Sequence, residues 1–184
     1  MKTFIFGLVV GIACVIAAVF AYFLSGSAPV ATASQPIPFE KTLANGALHA
    51  RIEREAPKMA PLAADEANLV AGAQIYHDDC AICHGTPGAG QTEIAMGMFP
   101  KPPQLFRGKG VTDDPPGETY WKVAHGIRLT GMPSFSDTLT DTQMWQVSLA
   151  LANADKLSDA AKRALQSPQP AASPAPAEPN VHGK

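Results

Sequence analysis

The sequence predicts an all-α protein, with one long apolar helix preceding a small helical domain. Three observations carry this. An uncharged stretch runs from Phe4 to Leu24. Apolar or small residues recur at helical spacing in two segments, Leu69, Gly72, Ala73, Tyr76 and Met144, Val147, Ser148, Leu151. No segment shows the period-two alternation bounded by turn residues that marks a strand.

Phe4–Leu24 matches the roughly 20 apolar residues that a transmembrane helix needs, so residues 1–24 are expected to anchor the chain in a membrane. Lys2 and the amino terminus precede this stretch and no Lys or Arg follows it until Lys41, which puts the N-terminus in the cytoplasm and the remainder outside. A cleaved signal peptide is the rival reading, because Ala31-Thr32-Ala33 has a small-x-small pattern. The apolar run is nevertheless longer than the about 7–15 residues usual for a signal. A lipid-modified Cys14 is a third option.

Residues 25–64 read as a linker or stalk. Ser25–Pro38 is Ser, Ala, Pro and Thr without periodicity, while Leu43, Ala47, Leu48 and Ile52 suggest a short amphipathic helix ended by Pro57. Residues 65–155 form the expected domain, followed by a short helix at 156–166 and a Pro/Ala-rich tail, 167–184, too poor in apolar bulk to order itself. A chain of 184 residues has room for one such core. The net charge of −2, with signs mixed along the sequence, lacks the basic field that nucleic-acid binding requires.

Within the domain, Asp65 is a candidate N-cap for the first helix, and Thr140 with Gln143 reads as a capping box for the last. Gly72 allows a close approach between these two helices, with Tyr76 and Trp145 filling space beside it. Between them, Pro116–His125 reads as a shorter helix closed by Gly126.

The chemistry is concentrated in Cys80-Ala81-Ile82-Cys83-His84. This is C-x-x-C-H, the attachment signature of a c-type haem. Two thiols at this spacing can reach the two vinyl groups on one edge of a porphyrin, and the adjacent His is carried beneath the ring toward the iron. One haem c is therefore expected, covalently held through Cys80 and Cys83, with His84 as iron ligand. A thioredoxin-like redox pair would need a βαβ setting and a zinc site would need further ligands, neither of which is evident. Three cysteines, an odd number, also argue against a disulfide framework.

Function then turns on the sixth iron position. Met132, in Gly131-Met132-Pro133, is the leading candidate: Gly lets the backbone approach a flat ring and Pro stiffens the chain beyond it. A neutral thioether opposite His raises the reduction potential. Met96 and Met98, closer behind the motif, more naturally pack on a haem edge but remain alternatives, as do His77, His125 and a vacant site. The two histidines read more simply as solvated or capping, and Met144 as core. Tyr120 and Trp121 are expected to be large contacts for the ring.

The whole pattern resembles the class I c-type cytochromes, especially the small domains attached to bacterial respiratory oxidases and dehydrogenases. The residues carrying it are Ala71-Gly72 with Tyr76, Cys80 to Gly85, Lys101 to Leu105, Trp121 with His125-Gly126-Ile127, Thr130 to Phe135, and Trp145. The resemblance implies a cytochrome c-like domain wrapped around one haem, with Met132 as distal ligand. It also implies that a carbonyl near Pro102 or Pro103 accepts a hydrogen bond from the second ring nitrogen of His84, fixing the imidazole.

With both axial positions filled by protein, the expected activity is transfer of single electrons rather than catalysis. Expected partners are redox proteins outside the cytoplasm, such as a quinol-oxidising complex, a dehydrogenase or a terminal oxidase, bound through a small transient interface. The alternative is a haem enzyme or gas sensor with a labile sixth ligand.

Overall fold

The computed structural model describes residues 1–106 and 114–166 of the chain. The expectation for the tail at 167–184 lies outside the described residues. Among the described residues every regular element is helical, and the chain divides into two compact units, the second beginning at Asn45.

In the first unit, α1 (Lys2–Leu24) is a single helix with no buried residue. Its 23 residues rise about 34 Å, enough to cross about 30 Å of hydrocarbon. Ser25 closes it, its amide donating to the Ala21 carbonyl at 2.9 Å.

The second unit opens within α2 (Glu40–Glu55). Ile52, and Ala56 just past the helix end, are buried against Trp121, with Leu48 packed alongside. The packed contacts of this unit therefore start upstream of residue 65, inside the segment that composition assigns to a stalk.

α3 (Glu66–Ile75) begins where sequence places it: the Asp65 carboxylate accepts the Asn68 amide at 2.9 Å, satisfying one of the orphan donors of the first turn. The helix runs into one wide π-helical turn, Tyr76–Cys80, and then into the short α4 (Ala81–His84). Gly85 ends α4 at φ +76, a conformation favouring glycine, and the Gly90 carbonyl lies 3.2 Å from where a Cβ would stand. The Tyr76 hydroxyl donates to the Gly85 carbonyl at 2.7 Å, so a fully buried ring secures the end of the motif helix.

α5 (Glu93–Gly97) is a single turn capped by Thr92. α6 (Pro116–His125) starts with Pro at its first position and stops at Gly126. α7 (Asp141–Ala152) carries the full capping box between Thr140 and Gln143. α3 and α7 cross at Gly72, where a Cβ would run into the Gln146 carbonyl and come within 2.9 Å of the Ala150 Cβ. The Gln146 side chain also donates to Asn68 at 3.0 Å, fixing the crossing. Tyr120 of α6 stacks on Trp145 of α7, centroids 4.2 Å apart.

α8 (Asp159–Gln166) lays Ala161, Ala164 and Leu165 into the same core. Its end meets His77, one of the two histidines expected to be solvated or capping. That residue is buried rather than solvated, its Nδ1–H donating to the Leu165 carbonyl at 3.3 Å while Nε2 has no partner. A helix packed from 88 residues downstream in the chain leaves no local trace at position 77.

A candidate haem site beside the motif helix

The π turn and α4 set Cys80, Cys83 and His84 along one wall of a cavity of about 630 Å³. Such a volume falls within the roughly 300–1,000 Å³ of cofactor clefts. The remaining walls come from the segment 98–105, from Thr119, Lys122 and Val123 of α6, from the loop 127–135 and from Leu151. Most of these are apolar side chains.

Both cysteines are free thiols. Cys80 is buried, and burial, together with the nearby Asp79 and Cys83, pushes its thiol up to about 12. Both cysteines line the cavity. Asp79 is likewise held above its ordinary value by burial and by the neighbouring Asp78.

His84 is oriented by one hydrogen bond. Its Nδ1 lies 2.8 Å from the Pro103 carbonyl oxygen, and a carbonyl can only accept, so Nδ1 carries the proton and Nε2 keeps its lone pair. Burial lowers the basicity of this imidazole, with the Pro103 bond acting in the other direction. A neutral imidazole with a fixed tautomer is the form that ligates iron.

Met132 also lines the cavity, and a series of short bonds ties its loop to the end of α6. The Ile127 amide donates to the Met132 carbonyl at 3.1 Å, and the Phe135 amide to the Val123 carbonyl at 3.0 Å. The Ser134 hydroxyl donates to the Ala124 carbonyl at 2.6 Å. Thr130 bridges within the loop, its hydroxyl donating to the Ile127 carbonyl at 2.7 Å and accepting the Met132 amide at 3.1 Å. Gly126, at φ +65, makes this seam possible: a Cβ there would lie 2.6 Å from the Pro133 carbonyl carbon and from the Ser134 nitrogen.

The cavity thus gathers Cys80, Cys83, His84, Met132, Pro102 and Pro103. Tyr120 and Trp121, expected to be large contacts for the ring, do not line this cavity. Tyr120 is turned to Trp145 and donates its hydroxyl to Asp141, a bond that, with burial, pushes the phenol up to about 12. Trp121 faces α2 and stacks on His125, whose Nδ1–H donates back to the Trp121 carbonyl at 2.9 Å. The reason is rotation about α6: its Thr119, Lys122 and Val123 face the cavity, leaving the neighbouring positions to other contacts.

Among the methionines, Met98 lines the cavity, Met96 is exposed and Met144 is core. Thr119, Phe135 and Leu151 also line the cavity. Helical spacing from Val123 and from Val147 was the available signal for Thr119 and Leu151.

The residues fit a c-type haem: an apolar cleft with two thiols, an imidazole presenting a lone pair, and a thioether. Comparison with known proteins agrees. Residues 67–149 match the family described as cytochrome c oxidase, cbb3-type, subunit III. No curated protein matches the chain. Among solved structures, a chain of the reducing HAO-like protein complex of Kuenenia stuttgartiensis is 28% identical with a TM-score of 0.45, over 53% of this chain and 48% of that one. The present chain accordingly spans about half the length of that structure. A domain of the matched family implies haem-based electron transfer. Residues 67–149, a little under half of the chain, are thus similar to the cytochrome c domains of that family.

Proposed function

We propose that the chain is a single-electron carrier, anchored by α1 with its cytochrome domain on the outer side of the cytoplasmic membrane, that passes electrons between respiratory redox proteins. Cys80 and Cys83 would hold one haem c as thioethers, and His84 Nε2 and the Met132 sulfur would be the protein ligands to its iron. The haem supplies an iron that cycles between ferrous and ferric states.

The protein's residues do the rest. Pro103 holds the His84 proton on Nδ1, so the ligating nitrogen is always available and correctly aimed. The seam at Gly126 and Thr130 holds the Met132 loop in place, and a Met132 sulfur bound to the iron would leave no coordination site for a substrate. Apolar lining limits reorganisation as the charge on the iron changes. The single observation that carries this reading is the shared cavity: the two thiols, the tautomer-fixed imidazole and the Met132 side chain, drawn from separate parts of the chain, line one apolar space.

Two measurements test it. Extraction of the denatured protein in acidified organic solvent should leave porphyrin on the polypeptide; complete release would overturn covalent attachment. Met132→Ala should keep covalent haem, lower the reduction potential, and let the reduced protein bind carbon monoxide rapidly at neutral pH. An unchanged potential and no gain in carbon monoxide binding would remove Met132 as a ligand. Rapid binding by the unsubstituted protein would favour a haem enzyme or gas sensor instead.

A further inference from the structure

The loop bearing Met132 is stitched to α6, and a second methionine, Met98, is lodged against its Gly131. Gly131 has ordinary backbone geometry, so no unusual dihedral demands glycine there. The demand is steric: the place where a side chain at position 131 would begin is taken by the Met98 methyl group, and the Met98 sulfur lies 3.4 Å from the same point. Met98 itself lines the cavity together with Gly131 and Met132, and it is only partly exposed, unlike Met96 on the same strand of chain. It comes from the segment after α5, far in sequence from the Met132 loop, so its contact with Gly131 joins two otherwise separate loops of the cavity wall. Met98 has a flexible, unbranched side chain suited to filling an irregular gap.

We propose that Met98 is a positioning residue for the sixth iron ligand: lodged against Gly131, it blocks the outward swing of the Gly131-Met132 peptide and so keeps the Met132 sulfur seated. This rests on the reading of Met132 as the ligand. The role requires bulk and shape at position 98, not sulfur. Removing the bulk leaves a void beside Gly131, and the loop gains an open arrangement that the wild type excludes.

The test uses full-length holoprotein in detergent. Met98→Ala, Met98→Leu, Gly131→Ala and Met132→Ala are compared by carbon monoxide binding to the reduced protein and by reduction potential, each checked for retained covalent haem. In Met98→Ala, carbon monoxide should bind about tenfold faster than in wild type, as the open population rises, and the potential should fall. Met98→Leu should restore both, because leucine keeps most of the volume. Gly131→Ala, which expels the Met98 methyl from its seat, should resemble Met98→Ala.

If Met98→Ala matches wild type while Met132→Ala opens the site, the positioning role is overturned and the ligand assignment stands. If Met98→Ala and Met98→Leu open the site equally and Met132→Ala does not, Met98 is itself the ligand and both readings fall.

Discussion

The indole N–H of Trp121 donates to the Glu55 carboxylate across 3.3 Å, while Arg51 holds the other oxygen of that carboxylate at 2.6 Å. This places the last turn of α2 on the same helix, α6, whose C-terminal end secures the Met132 loop. The Arg51 bond keeps the exposed Glu55 carboxyl below the usual carboxylate range, but ion pairs in solvent contribute little to stability. The apolar contact beneath them matters more. Ile52 is 2% exposed and Ala56 8%, and the Pro57 carbonyl fills the place where a Gly117 side chain would begin.

Ile52→Ala should therefore destabilise the cytochrome domain by about 2–5 kcal/mol, the range for truncating a buried aliphatic side chain. Glu55→Gln should leave stability nearly unchanged. Denaturant unfolding of the two holoproteins, followed by tryptophan fluorescence, separates these outcomes. If Ile52→Ala unfolds like wild type, α2 is a passenger on the domain.

The α3–α7 crossing makes a second prediction. A methyl group at Gly72 collides with the backbone of Gln146, which cannot rotate away as a side chain could. Gly72→Ala should cost about 1–3 kcal/mol by overpacking, although alanine is the better helix former by about 1 kcal/mol. The sign decides: stabilisation would mean that the crossing yields, destabilisation that it does not. Thermal unfolding of the holoprotein reads it directly.

These two sites differ in how openly the sequence declares them. Gly72 within a helical stripe, flanked by Tyr76 and later by Trp145, announces a close crossing, because periodicity and one missing side chain are both local facts. The caps at Asp65 and Thr140 and the stop at Gly126 are legible for the same reason. The C-x-x-C-H motif is legible because its geometry is confined to five residues. Trp121 is not: helical spacing places it on α6, but which face of α6 meets the cavity depends on helices that arrive from elsewhere in the chain. Within residues 25–64 the spacing of Leu43, Ala47, Leu48 and Ile52 announces a helix, but only the partner surface on Trp121 shows where Ile52 is buried. His77 is hidden in the same way, its partner being the Leu165 carbonyl.

Tyr76 links the motif helix to the core and makes a third prediction with a pH signature. Tyr76→Phe strands the Gly85 carbonyl without its buried donor and should cost about 1–2 kcal/mol at neutral pH. Burial, with a smaller contribution from Cys80, holds the Tyr76 phenol well above its ordinary value. In the unfolded chain the same phenol ionises near pH ~10. Above that pH the folded state retains a proton that the unfolded state loses, so stability falls as pH rises. The stability gap between wild type and Tyr76→Phe should accordingly be constant below about pH 9 and shrink between about pH 10 and 12. Equilibrium unfolding at about pH 8 and about pH 11 measures it; a gap that widens with pH would contradict the burial of a neutral phenol.

The seam beneath the Met132 loop makes the last prediction, with a control supplied by the fold. Gly126 and Gly88 both have positive φ, +65 and +81. A side chain at Gly88 meets nothing within 4 Å, whereas one at Gly126 is driven to 2.6 Å from the Pro133 and Ser134 backbone and to 2.9 Å from the Met132 carbonyl. Gly88→Ala should thus cost only the conformational penalty of about 1–2 kcal/mol and leave the axial site intact. Gly126→Ala carries the same penalty and in addition must part the loop from α6, breaking the Ile127–Met132 and Phe135–Val123 bonds that seat the proposed ligand. Its reduced holoprotein should bind carbon monoxide and show a lowered potential, while Gly88→Ala does neither. Should both variants keep wild-type potentials despite lowered stability, the ligand would be held by contacts other than this seam.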